Sequence, residues 1–142
     1  MANKRRTKKV ATTFAFALGL VFSSSGQSAT VLWDSPNSGD WSNGANWNIG
    51  DGGIPAAGDD VIIQNLGEAN SLTVNYNVNL LAPGLNSLFV GSRTILDQQQ
   101  NTLITNSLSV SGSTGGIYTL GGTGNLNVIN NTTLGGGWYR YL

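Results

Sequence analysis

Along the middle of the chain, apolar and polar residues alternate with a period of two. In SLTVNYNVNLL, Leu72, Val74, Tyr76, Val78 and Leu80 fall on one face, with Thr73, Asn75, Asn77 and Asn79 opposite. Side chains of a β-strand point alternately to its two faces, so this alternation predicts a strand with one buried side. DDVIIQNL, just before it, predicts another, with Val61 and Ile63 on one face. Shorter apolar pieces follow, TILD, TLIT, IYTL and TTLG, separated by Gly, Asn and Ser. No stretch after residue 29 carries helical spacing.

A triplet recurs among these pieces: NSLTV at Asn70, NSLFV at Asn86, NSLSV at Asn106, and a looser GNLNV at Gly124. Leu72, Leu88, Leu108 and Leu126 are therefore 16, 20 and 18 residues apart. A repeat near 20 residues points to a solenoid, whose units bury their apolar faces only by stacking on one another. Leu and Val of each triplet would face the shared core. The variable middle residue would face out, and Asn70, Asn86 and Asn106 would take equivalent corners, where Asn tolerates a left-handed backbone. An antiparallel meander or sandwich also gives short, evenly spaced strands. Like residues at one phase of a repeat favour stacking like on like. The fold class expected is all-β: a parallel β-helix (β-solenoid) of a few coils.

The first 29 residues have a different pattern. Lys4, Arg5, Arg6, Lys8 and Lys9 precede an apolar run from about Val10 to Phe22, and a small-residue tail ends at Ala29. That is the three-part layout of a secretory signal peptide, and the run is short for a permanent span. Removing it alters the charge. The full chain balances seven basic against seven acidic residues, yet only Arg93 and Arg140 remain after residue 29, leaving two minus seven, or minus five. So acidic a domain has no footprint for nucleic acid or anionic lipid, and no stable membrane insertion is expected once the signal is cleaved. With no Cys, disulfides do not staple it. The expected organisation is a signal peptide over 1–29, a Trp-, Gly- and Asn-rich N-terminal cap over 30–58, and solenoid coils over 59–142.

WDSPNSGDWSNGANWNIGDGGIPAAGDDVII resembles the opening motif of exported bacterial β-solenoid surface proteins, the type with autotransporter-associated β-strand repeats and a PEP-CTERM sorting signal. The matching positions are Trp33, Gly39, Asp40, Trp41, Ser42, Asn46, Trp47, Pro55, Gly58, Asp59, Asp60, Val61 and Ile63. The resemblance implies a secreted or cell-surface scaffold with a structural, matrix or adhesion role. The chain departs from the family in ending LGGGWYRYL, without Pro-Glu-Pro or an apolar tail, and in its few coils. It is expected to be an N-terminal piece of a longer protein.

Three groups of side chains invite chemistry. Trp33, Trp41 and Trp47 could stack on sugar rings, which gives the alternative function: a module binding extracellular polysaccharide through the Trp-rich cap. The competing and favoured reading is that they close the end of the solenoid, where an uncovered coil would expose core and strand edges. Asp51, Asp59 and Asp60 are the candidate calcium ligands, since Ca²⁺ takes six to eight oxygens. Asp59 and Asp60 are adjacent and so face opposite sides of a strand. Turn and cap hydrogen bonding is the favoured role, and no cofactor other than Ca²⁺ is expected. Catalysis is not expected, because the chain has no His and no Cys, and Glu68, Asp97, Arg93 and Arg140 are the only charged residues after Val61. Partners, besides polysaccharide, would be further coils of the same or another chain.

Overall fold

The computed structural model describes residues 28–65, 67, 70–112, 114–135 and 140–141. Of the expected signal segment 1–29, residues 1–27 lie outside them, as do Glu68 and Trp138. Ten strands follow in chain order: β1 (Thr30–Leu32), β2 (Gly39–Asp40), β3 (Asp60–Ile63), β4 (Leu72–Asn75), β5 (Leu85–Val90), β6 (Thr94–Asp97), β7 (Thr102–Val110), β8 (Gly116–Leu120), β9 (Asn125–Leu134) and β10 (Arg140–Tyr141). Odd-numbered strands form one sheet and even-numbered strands the other, five strands each, every neighbour parallel. The chain thus alternates between two sheets while climbing one rung at a time. This is a β-solenoid, as the periodicity predicted.

The core lies between the sheets and is built of in-register columns. Val31, Val61, Leu88 and Leu108 stack down the odd sheet, with Ile63, Val90 and Val110 beside them. Val74, Leu96 and Tyr118 stack down the even sheet. All ten are buried. Strands β3, β4 and β6 alternate strictly between buried and half-buried positions. Parallel pairing puts every inward residue above its counterpart, so apolar area is removed from water along the whole stack.

Two details of the expected repeat are corrected. The four Leu-x-Val triplets do not form one column. Leu88 stacks on Leu108, but Leu72 lies in the even sheet beside Thr94, and Leu126 pairs with Leu103. A Leu-x-Val triplet fits any inward-facing strand of either sheet, so its recurrence mixed two phases of the coil. The odd-sheet column has spacings of 30, 27 and 20 residues between Val31, Val61, Leu88 and Leu108. The asparagines also differ from the expected corners. Asn86 and Asn106 lie inside β5 and β7, where two consecutive residues fail to face the core. Among the described non-glycine residues, left-handed backbone falls to Asp51, Arg93 and Gln99.

TLIT, expected as a separate short strand, is continuous with the following triplet in β7. Conversely, the long alternating stretch stops pairing at Asn75, although Tyr76 remains fully buried and Val78 and Leu80 pack against the core.

Candidate functional site

The Trp-rich segment builds the first rung. β1 pairs with β3, and β2 with β4, while Trp33 and Trp47 form an antiparallel bridge across the intervening loop. A 3-10 turn at Gly44–Asn46 reverses the chain, with the Asn43 side chain accepting from the Ala45 amide at its start. Asn and Gly are favoured here because the Asn side chain can replace a backbone partner and Gly44 has no room for a side chain against the backbone of Gly52.

This rung places the three indoles together. Trp41 meets Trp47 edge to face at 4.7 Å and Tyr76 at 4.9 Å, and Trp33 meets Trp47 at 5.0 Å. The Trp47 Nε1–H donates to the Trp41 carbonyl at 2.8 Å. Exposure is 7% for Trp33, 0% for Trp41 and 4% for Trp47. A pyranose needs an open ring face, and these faces are covered by one another and by Tyr76. Trp33, Trp41 and Trp47 thus offer no open ring face for sugar stacking; they are contiguous with the core.

The candidate calcium ligands are used differently. Asp59 accepts from the Ala29 amide at 3.2 Å and the Ala56 amide at 2.8 Å, closing the turn before β3. Asp60 accepts from the Ser87 hydroxyl at 2.5 Å, the Asn86 amide group at 2.7 Å and the Ser28 hydroxyl at 3.0 Å. It thereby ties β3 to β5. The Ser87 hydrogen bond chiefly holds the Asp60 carboxyl below its ordinary 3.8, with slight burial opposing and Asn86 and Ser28 assisting. Asp51 occupies a left-handed position in the 3-10 turn Gly50–Gly52 and is exposed. Among the described residues no group of three His, Cys, Asp or Glu is placed to hold a metal, so the set Asp51, Asp59 and Asp60 is not assembled as a calcium site.

The other polar side chains repeat this pattern of rung-to-rung bonding. Asn75 donates to Asp40 at 3.0 Å and Asn77 to Ser42 at 2.8 Å, while Asn77 also accepts from the Ser42 amide. Asn79 accepts from the Thr102 amide, and Asn101 donates to the Tyr76 carbonyl at 2.6 Å. The bonds to the Ser42 and Thr102 amides and to the Tyr76 carbonyl satisfy backbone groups that leave the ladders at the corners.

A buried polar knot went unseen in the sequence. Gln98 is fully buried; its Nε2 donates to the carbonyls of Asn101 at 2.7 Å and Asn125 at 2.8 Å, and its Oε1 accepts from the Tyr118 hydroxyl. It joins the end of β6 to β8 and β9. Within QQQN nothing distinguishes Gln98 from its exposed neighbours except the inward column that continues through it. Tyr76 is the second such residue. Its hydroxyl donates to the Thr102 carbonyl and accepts from the Leu80 amide, both at 3.1 Å, and burial raises its pKa to about 12.

Beside the first rung, a cleft of about 350 Å³ is lined by Trp33, Asp34, Pro36, Gln64 and Leu72 among others. Asp97 accepts from the Gln99 amide in its own turn at 3.2 Å. No helix among the described residues is long and apolar enough to cross a membrane.

No protein-family model matches the chain, and none of the curated proteins or solved structures compared with it gives a significant match.

Proposed function

We propose that the protein is an exported, non-enzymatic β-solenoid scaffold with a structural, matrix or adhesion role at the cell surface. The observation that carries this reading is where the polar side chains go. Asp40, Asp60, Asn75, Asn77, Asn79 and Asn101 hydrogen-bond between rungs, so the side chains that would furnish a site are committed to stacking. A stack whose units bond to their neighbours along two continuous ladders is stiff along its axis and exposes long, flat faces, which suits a spacer. The absence of His and Cys from the sequence fits a chain without catalytic machinery. Export rests on the basic-apolar-small pattern of residues 1–29.

The test is the fate of the chain in a bacterial host. A tag after Leu142 would be followed through cytoplasmic, periplasmic, surface and medium fractions, and the new N-terminus sequenced. The expected product lies outside the cytoplasm and begins near Thr30. An uncleaved product retained in the cytoplasm would overturn the reading.

A further inference from the structure

The chain enters the stack through residues 28–30, and two adjacent carboxylates meet it there. Asp59 accepts from the Ala56 amide through Oδ2 at 2.8 Å, in its own turn, and from the Ala29 amide through Oδ1 at 3.2 Å. Asp60 gives Oδ1 to Asn86 and Ser87 on the next rung and Oδ2 to the Ser28 hydroxyl at 3.0 Å. Each carboxylate thus spends one oxygen inside the fold and turns the other to the incoming chain. The Asp60 amide completes the grip by donating to the Ala29 carbonyl at 2.8 Å. Every partner of the two carboxylates is a neutral amide or hydroxyl, so among the described residues these two negative charges have no cation bonded to them.

We propose that signal cleavage falls between Ser28 and Ala29, and that Asp59 and Asp60 clamp the α-ammonium it creates, locking β1 onto β3. The proposal rests on export of the chain. The tail SSSGQSA offers more than one cut with small residues at the first and third positions before the bond. A cut after Gly26 leaves the Ala29 nitrogen a neutral amide. A cut after Ala29 removes the carbonyl that accepts from the Asp60 amide, and it needs Gln27 in a small-residue place. The cut after Ser28, with Gly26 two residues before it, makes a terminus of the backbone nitrogen that already lies on Asp59. Water divides the bond: its hydroxyl goes to the Ser28 carbonyl carbon and its hydrogen to the Ala29 nitrogen. The new acid's proton follows, giving a departing carboxylate and an ammonium that stays. Ser28 takes its hydroxyl away from Asp60 Oδ2, and the ammonium, with three N–H donors where the amide had one, replaces it. Bonds between ionised partners are roughly twice as strong as neutral ones, and β1 has only three residues to hold it on β3. The uncleaved chain, with an amide at this position, lacks that bond.

The sequence makes the test specific. The 142-residue chain is expressed in a bacterial host, and the exported product is purified and its N-terminus sequenced; it should begin at Ala29. Lysines stand only at positions 4, 8 and 9, so the processed chain has one amine. An acetyl N-hydroxysuccinimide ester therefore converts the α-ammonium alone to a neutral amide. Free and acetylated forms are unfolded in urea at about pH 6.5, below the ordinary α-amino range. Acetylation should lower the midpoint by roughly 0.3 M. The difference should shrink by roughly half or more in Asp59→Asn and in Asp60→Asn, which keep acceptor oxygens for the neutral partners. An uncleaved chain held in the cytoplasm would overturn the export reading and this proposal together. An exported product that starts at another residue would overturn the proposal alone. So would equal midpoints for the two forms, or an acetylation effect that both variants leave intact.

Discussion

Replacing Trp41 by Ala separates a core indole from a ligand platform more sharply than any other substitution. The side chain is fully buried and meets two rings, Trp47 at 4.7 Å and Tyr76 at 4.9 Å. Truncating a buried Trp to Ala typically costs about 3–5 kcal/mol, a range that already includes the cavity it leaves. Two edge-to-face pairs, each worth about 0.5–1.5 kcal/mol beyond area, place this site in the upper half of that range. One feature acts against it: the Trp41 Nε1–H is buried without a hydrogen-bond partner, so its removal returns about 1 kcal/mol or more. The net expectation is a loss of about 3–4 kcal/mol for Trp41→Ala. Trp41→Phe keeps a ring and removes the orphan N–H, and should cost no more than about 1 kcal/mol. Urea unfolding followed by the fluorescence of the remaining tryptophans reads both. With a slope of about 1–3 kcal/mol per molar, the Ala variant should lose roughly 2 M in midpoint, and the Phe variant well under 1 M. A Trp41→Ala variant that keeps its midpoint but loses binding to a polysaccharide would refute the reasoning and return Trp41 to the role of a sugar platform.

Gln98→Leu should destabilise by about 2–4 kcal/mol, since it takes partners from the Asn101 and Asn125 carbonyls and from the Tyr118 hydroxyl; a double-mutant cycle with Tyr118→Phe should show about 1 kcal/mol of coupling. Tyr76 should make stability fall at high pH. Its folded pKa of about 12 lies above the ordinary 10.0, so the folded state resists ionisation that the unfolded chain accepts. The contribution is whole below pH 10 and declines by about 2 kcal/mol towards pH 12, a decline that Tyr76→Phe should remove from a pH series of unfolding midpoints. Asp60 works in the opposite sense: its carboxyl is depressed, so its contribution is present above the ordinary 3.8 and is lost as pH falls through the lower folded value. Acid unfolding of Asp60→Asn should accordingly begin from a lower stability at neutral pH and show a shallower fall below pH 4 than the unsubstituted chain.

Much of the fold was legible because inward positions of a strand obey one rule. Val61, Ile63, Leu72, Val74 and Tyr76 are all buried as their alternation required. The repeat showed that strands stack in parallel but not which strand stacks on which. Leu72 and Leu88 carry the same triplet in different sheets, because the triplet encodes an inward strand and not a position on the coil. Coil length depends on loops such as 76–84, and loop length leaves no mark on the strands it joins. At the first rung, Trp33, Trp41 and Trp47 are buried and packed on one another. Asp59 and Asp60 hydrogen-bond to turn amides and to the neighbouring rung. Gln98 was invisible for a physical reason. A buried polar group is tolerable only where its partners converge, and two of the three here, Asn125 and Tyr118, come from distant segments and are brought to it by the stacking itself.

The central claim is that the strands stack in parallel and in register. Methyl NOE spectroscopy on a Leu- and Val-labelled chain tests it at β5 and β7. Parallel stacking predicts strong contacts between Leu88 and Leu108 and between Val90 and Val110, with Val61 also adjoining Leu88. Strong crossed contacts, Leu88 with Val110 and Val90 with Leu108, would mean an antiparallel pair and would contradict the solenoid.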